Sequence, residues 1–278
     1  MAPTALKKDT TKKRLIIFGV LTASLILVSI FAIPLCPYDP YLQDLSNAKA
    51  PPSAMHLLGT DRFGRDLFSR VLAGSHTSIL STLLLVAIIT IIGTAVGLLA
   101  GWWGGKIDVI LMRLSDVFLA FPGLVFALAV AGVLGGGLHN AVAALAAISW
   151  PKYARIARSQ TAAIQKTPFL AAARISGNSN ARLILFHVLP NIIGPILVTS
   201  MLDIGTMMME LAGLSFLGLG AKPPAAEWGS MVSDGRSMLS DSPWIPFSPG
   251  FAILLSVMIF NMLGDTIRDY ADPKHARR

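Results

Sequence analysis

Residues 165–191 read QKTPFLAAARISGNSNARLILFHVLPN, and the rest of the chain is understood around this run. It is a polar, glycine-broken stretch in an otherwise apolar chain, too interrupted to cross a bilayer. Pro168 suits the first turn of a helix, where a missing N–H costs nothing. Phe169 to Ile175 then supply about two turns, and the small side chains of Ala171, Ala172 and Ala173 let another surface come close. Gly177 and Asn178 stop that helix. Ser179 or Asn180 can cap a second one, running through Arg182 toward Phe186, with a break or kink expected at Pro190. The expected product is a helix–turn–helix knob, basic on its polar face and suited to gripping a soluble partner. An ordinary cytoplasmic helical hairpin is the plainer alternative.

Composition sets the environment of this knob. Hydrophobic residues make up 54% of the 278 and charged residues only 14%, with a mean hydropathy of +0.64. That is too apolar for a soluble domain of this length, so the chain reads as an all-α integral membrane protein. Apolar runs of about 20 residues fall at 15–35, 79–101, 110–134, 138–159, 184–208 and 246–266. Six spans put both ends of the chain on one side. With that side taken as the inside, it holds 17 of the 23 basic residues, among them Lys12, Lys13, Lys152, Arg155, Arg158, Arg174 and Arg182. Lys49, Arg62, Arg65, Arg70, Lys222 and Arg236 remain outside. The positive-inside rule therefore makes both termini and the knob cytoplasmic. It also accounts for the net charge of +8 as an orientation signal, so nucleic acid is not an expected partner.

This reading divides the chain into a cytoplasmic tail (1–14), a first helix with an external segment (15–75), a core of five helices (76–268) and a second cytoplasmic tail (269–278). The first apolar run is too long for a signal peptide and lacks a good cleavage site, so it is read as an uncleaved helix. Cys36 is the only cysteine, which excludes internal disulfides and cysteine-based metal clusters.

Within the external segment, Gly59 and Gly64 have the spacing of a phosphate loop, but Arg65 and Asp66 follow where lysine and a hydroxyl are needed. Leu67, Phe68, Val71 and Leu72 lie opposite Arg65, Asp66, Ser69 and Arg70, predicting an amphipathic helix at the outer interface. Gly93, Gly97 and Gly101 form a small-residue stripe for close helix packing. Gly104-Gly105 and Gly135-Gly136-Gly137 are expected turns, and Arg113 with Asp116 and Asp265 with Arg268 are expected ion pairs at i,i+3. The segment from Leu214 to Pro249 is expected as a re-entrant or interfacial external loop.

The run AAAR-IS-G followed by LILFHVLPN resembles the loop that marks membrane subunits of ATP-binding-cassette importers. Ala172, Ala173, Gly177, Leu189 and Pro190 match that pattern, whereas Ala171 stands where the family usually has glutamate. LGTDRFGRDLFSR and GGKIDVILMRLSDVFLAFP resemble the peptide and nickel branch. The resemblance covers about 55 to 273 and implies the type I importer permease fold in a bacterial cytoplasmic membrane. It further implies a heterodimer with a sister permease, two cytoplasmic ATP-binding subunits that bind ATP and Mg, and an external solute-binding protein. On this reading the chain is not an enzyme and carries no cofactor or firmly assigned metal of its own.

The five histidines are scattered without metal-ligand spacing, and no catalytic constellation appears. A secondary transporter would need inverted halves of similar pattern, which the two triplets of spans do not show. For the solute, LDIGTMMMELAGLSFLGLG resembles nickel permeases more than peptide ones. Nickel, free or chelated, is thus the expected cargo, with di- or oligopeptides as the alternative. Asp203, Met207 and Glu210 share one face of the fifth span and form the expected translocation path. Acids inside a span mark functional candidates, and carboxylate with thioether can pass a cation. The competing expectation is that Asp203 pairs with a polar group of the sister subunit.

Overall fold

The missing side chains of three glycines set the centre of the fold. In a computed structural model, Gly93, Gly97 and Gly101 of α2 (Leu67–Trp103) lie flat against α5 (Leu138–Gln165). A Cβ at Gly93 would stand 2.5 Å from the Trp150 carbonyl oxygen, and one at Gly101 would stand 2.7 Å from Thr161 Cβ. Only hydrogen fits there, and the close helix packing expected of the stripe falls between two helices of this chain. Around this pair gather α8 (Leu189–Phe216), α10 (Trp244–Ala271) and α1 (Pro3–Ile30). Gly205, facing Asn261, and Gly264, facing Leu202, bring α8 and α10 together by the same device. Leu85, Ile89, Leu145, Tyr153, Ile192, Ile196 and Phe260 fill the shared interior.

The structure describes residues 3–271, with side chains from 11 to 270. Lys7, Lys8 and residues 272–278, which include Lys274, Arg277 and Arg278 of the basic pattern, lie outside the residues described in full. No strand occurs among the described residues, only an isolated bridge between Thr60 and Asp66. Four helical runs are long and apolar enough to cross a membrane: Thr11–Ile30, Leu67–Trp103, Asn180–Phe216 and Trp244–Tyr270.

The span expected at 110–134 is broken instead. Helices α3 (Gly105–Leu119) and α4 (Gly123–Val133) meet at 89°. Pro122 biases Phe121 away from the helical region and brings no N–H of its own. Phe118 then packs edge-on against Trp150 and Phe126, and Phe121 stacks on Phe126, which fills the corner. Helix α5 has the length to cross, but Lys152, Arg155 and Arg158 make its second half polar. The all-helical fold is as expected, whereas the count of six apolar spans resolves into four, one bent pair and α5.

Several local expectations change. Arg65, Asp66, Ser69 and Arg70 are buried rather than spread over an interface. Asp66 caps α2, accepting from Ser69 N at 2.8 Å, so the predicted amphipathic helix is the start of a 37-residue helix that runs on through residue 75. Asp61 accepts from Arg65 Nε at 2.7 Å, and Arg70 donates to the Pro40 carbonyl at 2.9 Å. These contacts fold the proline-rich segment over the end of α2, and mutual pairing is what lets the charges be buried. Asp116 pairs with Arg155 at 2.6 Å rather than with Arg113, and no ion pair joins Asp265 to Arg268, both exposed. Between Leu217 and Trp244 the loop expected outside contains α9 (Trp228–Gly235), capped by Glu227. Pro249, the expected end of that loop, lies inside α10.

Candidate functional site

The knob is built from caps. Thr167 Oγ1 donates to the Ile164 carbonyl at 2.7 Å and accepts from Leu170 N at 3.5 Å, with Pro168 opening α6 (Pro168–Ile175). Gly177 ends it at φ +81°, in the left-handed region that side chains avoid. Asn178 Nδ2 returns to the Ala173 carbonyl at 2.8 Å, and Ser179 caps the single turn α7 (Asn180–Arg182). Leu170 and Leu183 are buried and root the knob in the bundle. Gln165 Nε2 reaches the free carbonyls of Gly101 and Trp102, at 3.2 and 2.7 Å, and Arg174 lies over the Trp102 ring at 5.5 Å. The ends of α2 and α5 therefore hold the knob from below.

Its outer face is bare. Ala172 and Gly177 are exposed, Ala173 is half-buried, and Ile175 is 88% exposed. The structure thus brings Ala172, Ala173 and Gly177 together on one surface. Leu189 and Pro190 stand at its foot, where the chain differs from the expected break. The helix passes Pro190 without stopping because Leu183–Val188 form a π-turn. The wider turn absorbs the hydrogen bond that proline cannot make.

The acid face of α8 is also more elaborate than expected. Asp203 is buried, and both its oxygens accept from Lys152 Nζ of α5, at 2.6 and 2.9 Å. Tyr153 OH donates to the same carboxylate at 2.9 Å. Asp203 thus has its partner within this chain. Met207 is buried beside it in the sequence of the same face, while Glu210 is half-buried with no ion pair. Among the described residues no three histidine, cysteine or acidic side chains converge as metal ligands would. In the sequence Lys152 stands out only as one of the basic residues of the inside, and Tyr153 not at all. The signal that finds Lys152 is the unpaired acid itself, since an intramembrane carboxylate requires a cation on a neighbouring span.

The C-terminal half of α5, next to the knob, is tied to α3 by two further pairs. Arg158 forks onto both oxygens of Asp108, and Arg155 meets Asp116. On the opposite end, Trp228 fits against Gly74 and donates Nε1–H to the Val71 carbonyl at 2.9 Å. Trp228 N donates to Ser78 Oγ at 3.0 Å.

The family model described as the inner membrane component of binding-protein-dependent transport systems matches residues 93–277. The chain is 42% identical to the dipeptide transport system permease protein DppC of Alkalihalophilus pseudofirmus, covering 96% of this chain and 88% of that protein. It is 45% identical to the probable D,D-dipeptide transport system permease protein DdpC of Escherichia coli K12, covering 92% and 86%. Identity to the nickel transport system permease protein NikC of the same organism is 41%, covering 85% and 86%. A chain of the MetNI methionine ABC transporter in an inward-facing crystal form shares the fold at a TM-score of 0.57 and 16% identity, covering 74% of this chain and 98% of that one. Since the family match takes in the knob, the buried charge pair and every helix from the middle of α2 onward, the chain belongs to the inner membrane components of binding-protein-dependent transport systems, a permease family.

Proposed function

We propose that this chain is one of two membrane-spanning subunits of an ATP-driven importer, with a related permease as its heterodimeric partner. The exposed knob carries this reading. An apolar tip at Ile175 and a bare alanine face at Ala171 and Ala172 sit on a base tied to α2 and α5, which suits transmission of force from a docked subunit. Two cytoplasmic ATP-binding subunits, holding ATP and Mg, would seat here and in the sister permease. Hydrolysis is assigned to those subunits rather than to this chain. The clustering of Arg155, Arg158, Arg174 and Arg182 at the knob end supports a cytoplasmic knob and cytoplasmic termini. The opposite face, folded from residues 34–66 and the α9 loop, would receive an external solute-binding protein.

For the cargo, the geometry favours di- or oligopeptides over nickel. The path expected for a metal needed an available carboxylate beside a thioether, and Asp203 is already neutralised by Lys152 while Met207 is buried. The relatives named for dipeptides also match over a larger share of the chain than the one named for nickel. Nickel stays as the second reading on one observation, the unpaired Glu210 on the same helix. Two measurements test the proposal. ATP-binding subunits should co-purify with the chain and be lost when the knob is altered, and a deletion strain should lose uptake of labelled dipeptide while retaining labelled nickel uptake.

A further inference from the structure

Lys152 and Asp203 meet deep within the helices that carry them. At 1.5 Å per residue, Lys152 stands about 21 Å along α5 from Leu138, and Asp203 about 20 Å along α8 from Phe216. On the topology proposed above, both lie about two-thirds of the way across a ~30 Å hydrocarbon layer. Yet the Lys152 side chain is 52% exposed in this chain, against 11% for Asp203. An ammonium at that depth does not face lipid: a lipid-facing lysine extends toward the nearest interface, whereas this one is held inward by two hydrogen bonds. Of its three N–H groups, two go to Asp203, and the third is left for the exposed side. Tyr153 holds Asp203 from the buried side, so the carboxylate keeps a partner if the ammonium moves. Glu210, two turns further out on α8, is within electrostatic reach of both charges.

We infer that Lys152 and Glu210 line the aqueous path of the solute and that together they contact a zwitterionic cargo, Glu210 its amino group and Lys152 its carboxylate. This rests on the peptide reading above. Seven residues of helix separate the levels of Asp203 and Glu210 by about 10 Å, and an extended di- or tripeptide spans about 7 to 10 Å. The order of charges sets the polarity of passage: a peptide entering from outside meets the acid first and the ammonium deeper. Asp203 is a positioning residue, which keeps the Lys152 head at its level in the path when no solute is present.

The test uses the assembled importer in membrane vesicles, with Cys36→Ser removing the native thiol. Glu210→Cys should react with a small cationic methanethiosulfonate. Adding Lys152→Met should speed that reaction several-fold relative to a neutral reagent of the same size, while Lys152→Arg leaves the ratio unchanged. An inert thiol, or a ratio blind to Lys152, overturns the assignment and marks a surface covered by lipid or by the sister permease. In the second measurement, Lys152→Met should lower uptake of alanylalanine by about 10-fold or more, the size of a lost charged hydrogen bond, with Lys152→Arg retaining most of it and both complexes intact. A reactive thiol with uptake indifferent to Lys152→Met overturns the solute contact. A reactive, Lys152-sensitive thiol in a wild-type importer that takes up no dipeptide sinks the peptide reading and leaves the lining assigned.

Discussion

Gly97 of α2 and Ala154 of α5 approach so closely that a Cβ on the glycine would lie 2.3 Å from the alanine's carbonyl oxygen. Backbone cannot retreat as a flexible side chain can, so even Gly97→Ala forces the two longest-packed helices apart, at about 1–3 kcal/mol for overpacking. Gly101→Ala meets Thr161 Cβ at 2.7 Å and the Arg158 carbonyl oxygen at 2.8 Å, a milder overlap than at Gly97, and should cost less. Gly132→Ala, in α4 with nothing within 4 Å, should leave stability unchanged. Thermal melting of the purified complex, followed by size-exclusion chromatography, should rank the three in that order.

Gly177 poses a different constraint. Nothing lies within 4 Å of a Cβ there, and the penalty comes from φ +81° alone, about 1–2 kcal/mol for an ordinary residue. Gly177→Val should therefore leave insertion and subunit assembly of the permeases intact while weakening ATPase docking or abolishing solute-stimulated hydrolysis. Gly177→Asn, which tolerates the left-handed region, should keep most of the activity. Ala171→Glu places an acid on an exposed position and should be accepted. Normal coupling in Gly177→Val would remove the knob as the docking element.

Cys36 tests sidedness, with a pH dependence attached. Its Sγ lies 3.2 and 3.3 Å from the Ala32 and Ser69 carbonyl oxygens, which share its one S–H, and burial pushes the thiol above its ordinary pKa. Less thiolate is present at neutral pH, so an impermeant maleimide added outside should label it slowly, and faster as pH rises. In a Cys36→Ser background, Asn178→Cys should label only after permeabilisation. The reverse pattern would invert the topology.

The two ion pairs between α3 and α5 should differ in worth. Arg155 and Asp116 are both more than half exposed, whereas Asp108 is only 18% exposed and receives both arms of Arg158. An exposed single contact contributes about 0–1 kcal/mol, and a bidentate, partly buried one more. Asp108→Asn should lower the melting temperature of the complex further than Asp116→Asn, a comparison that equal shifts would contradict.

How much of this was legible follows from which interactions are local. The knob could be read because its start and stop signals, Pro168, Gly177 and Ser179, act within a few residues, although the Thr167 cap is added by the structure. The glycine stripe could be read as a packing surface, though its partner is named only by the fold. Charged residues were read least well. Arg65, Asp66 and Arg70 have the periodicity of a solvent-facing surface, and only the return of Pro40 and Pro224 over them shows why they are buried. Lys152 looks like a cytoplasmic exit until Asp203, far away in sequence, is brought beside it. The bend before Pro122 was hidden because Val117 to Leu134 carries no charge, and hydropathy counts such a stretch as part of one span whatever direction the backbone takes.

The π-turn at Leu183–Val188 has a mechanical consequence. By carrying the backbone past Pro190, it makes Asn180 to Phe216 one continuous 37-residue rod, about 55 Å long at 1.5 Å per residue. The knob is the short end of that rod and Asp203 lies partway along it. A tilt of about 5° pivoting at the knob would carry the far end sideways by about 5 Å, so a small rotation at the knob arrives at the opposite end of the rod as a displacement the width of a side chain.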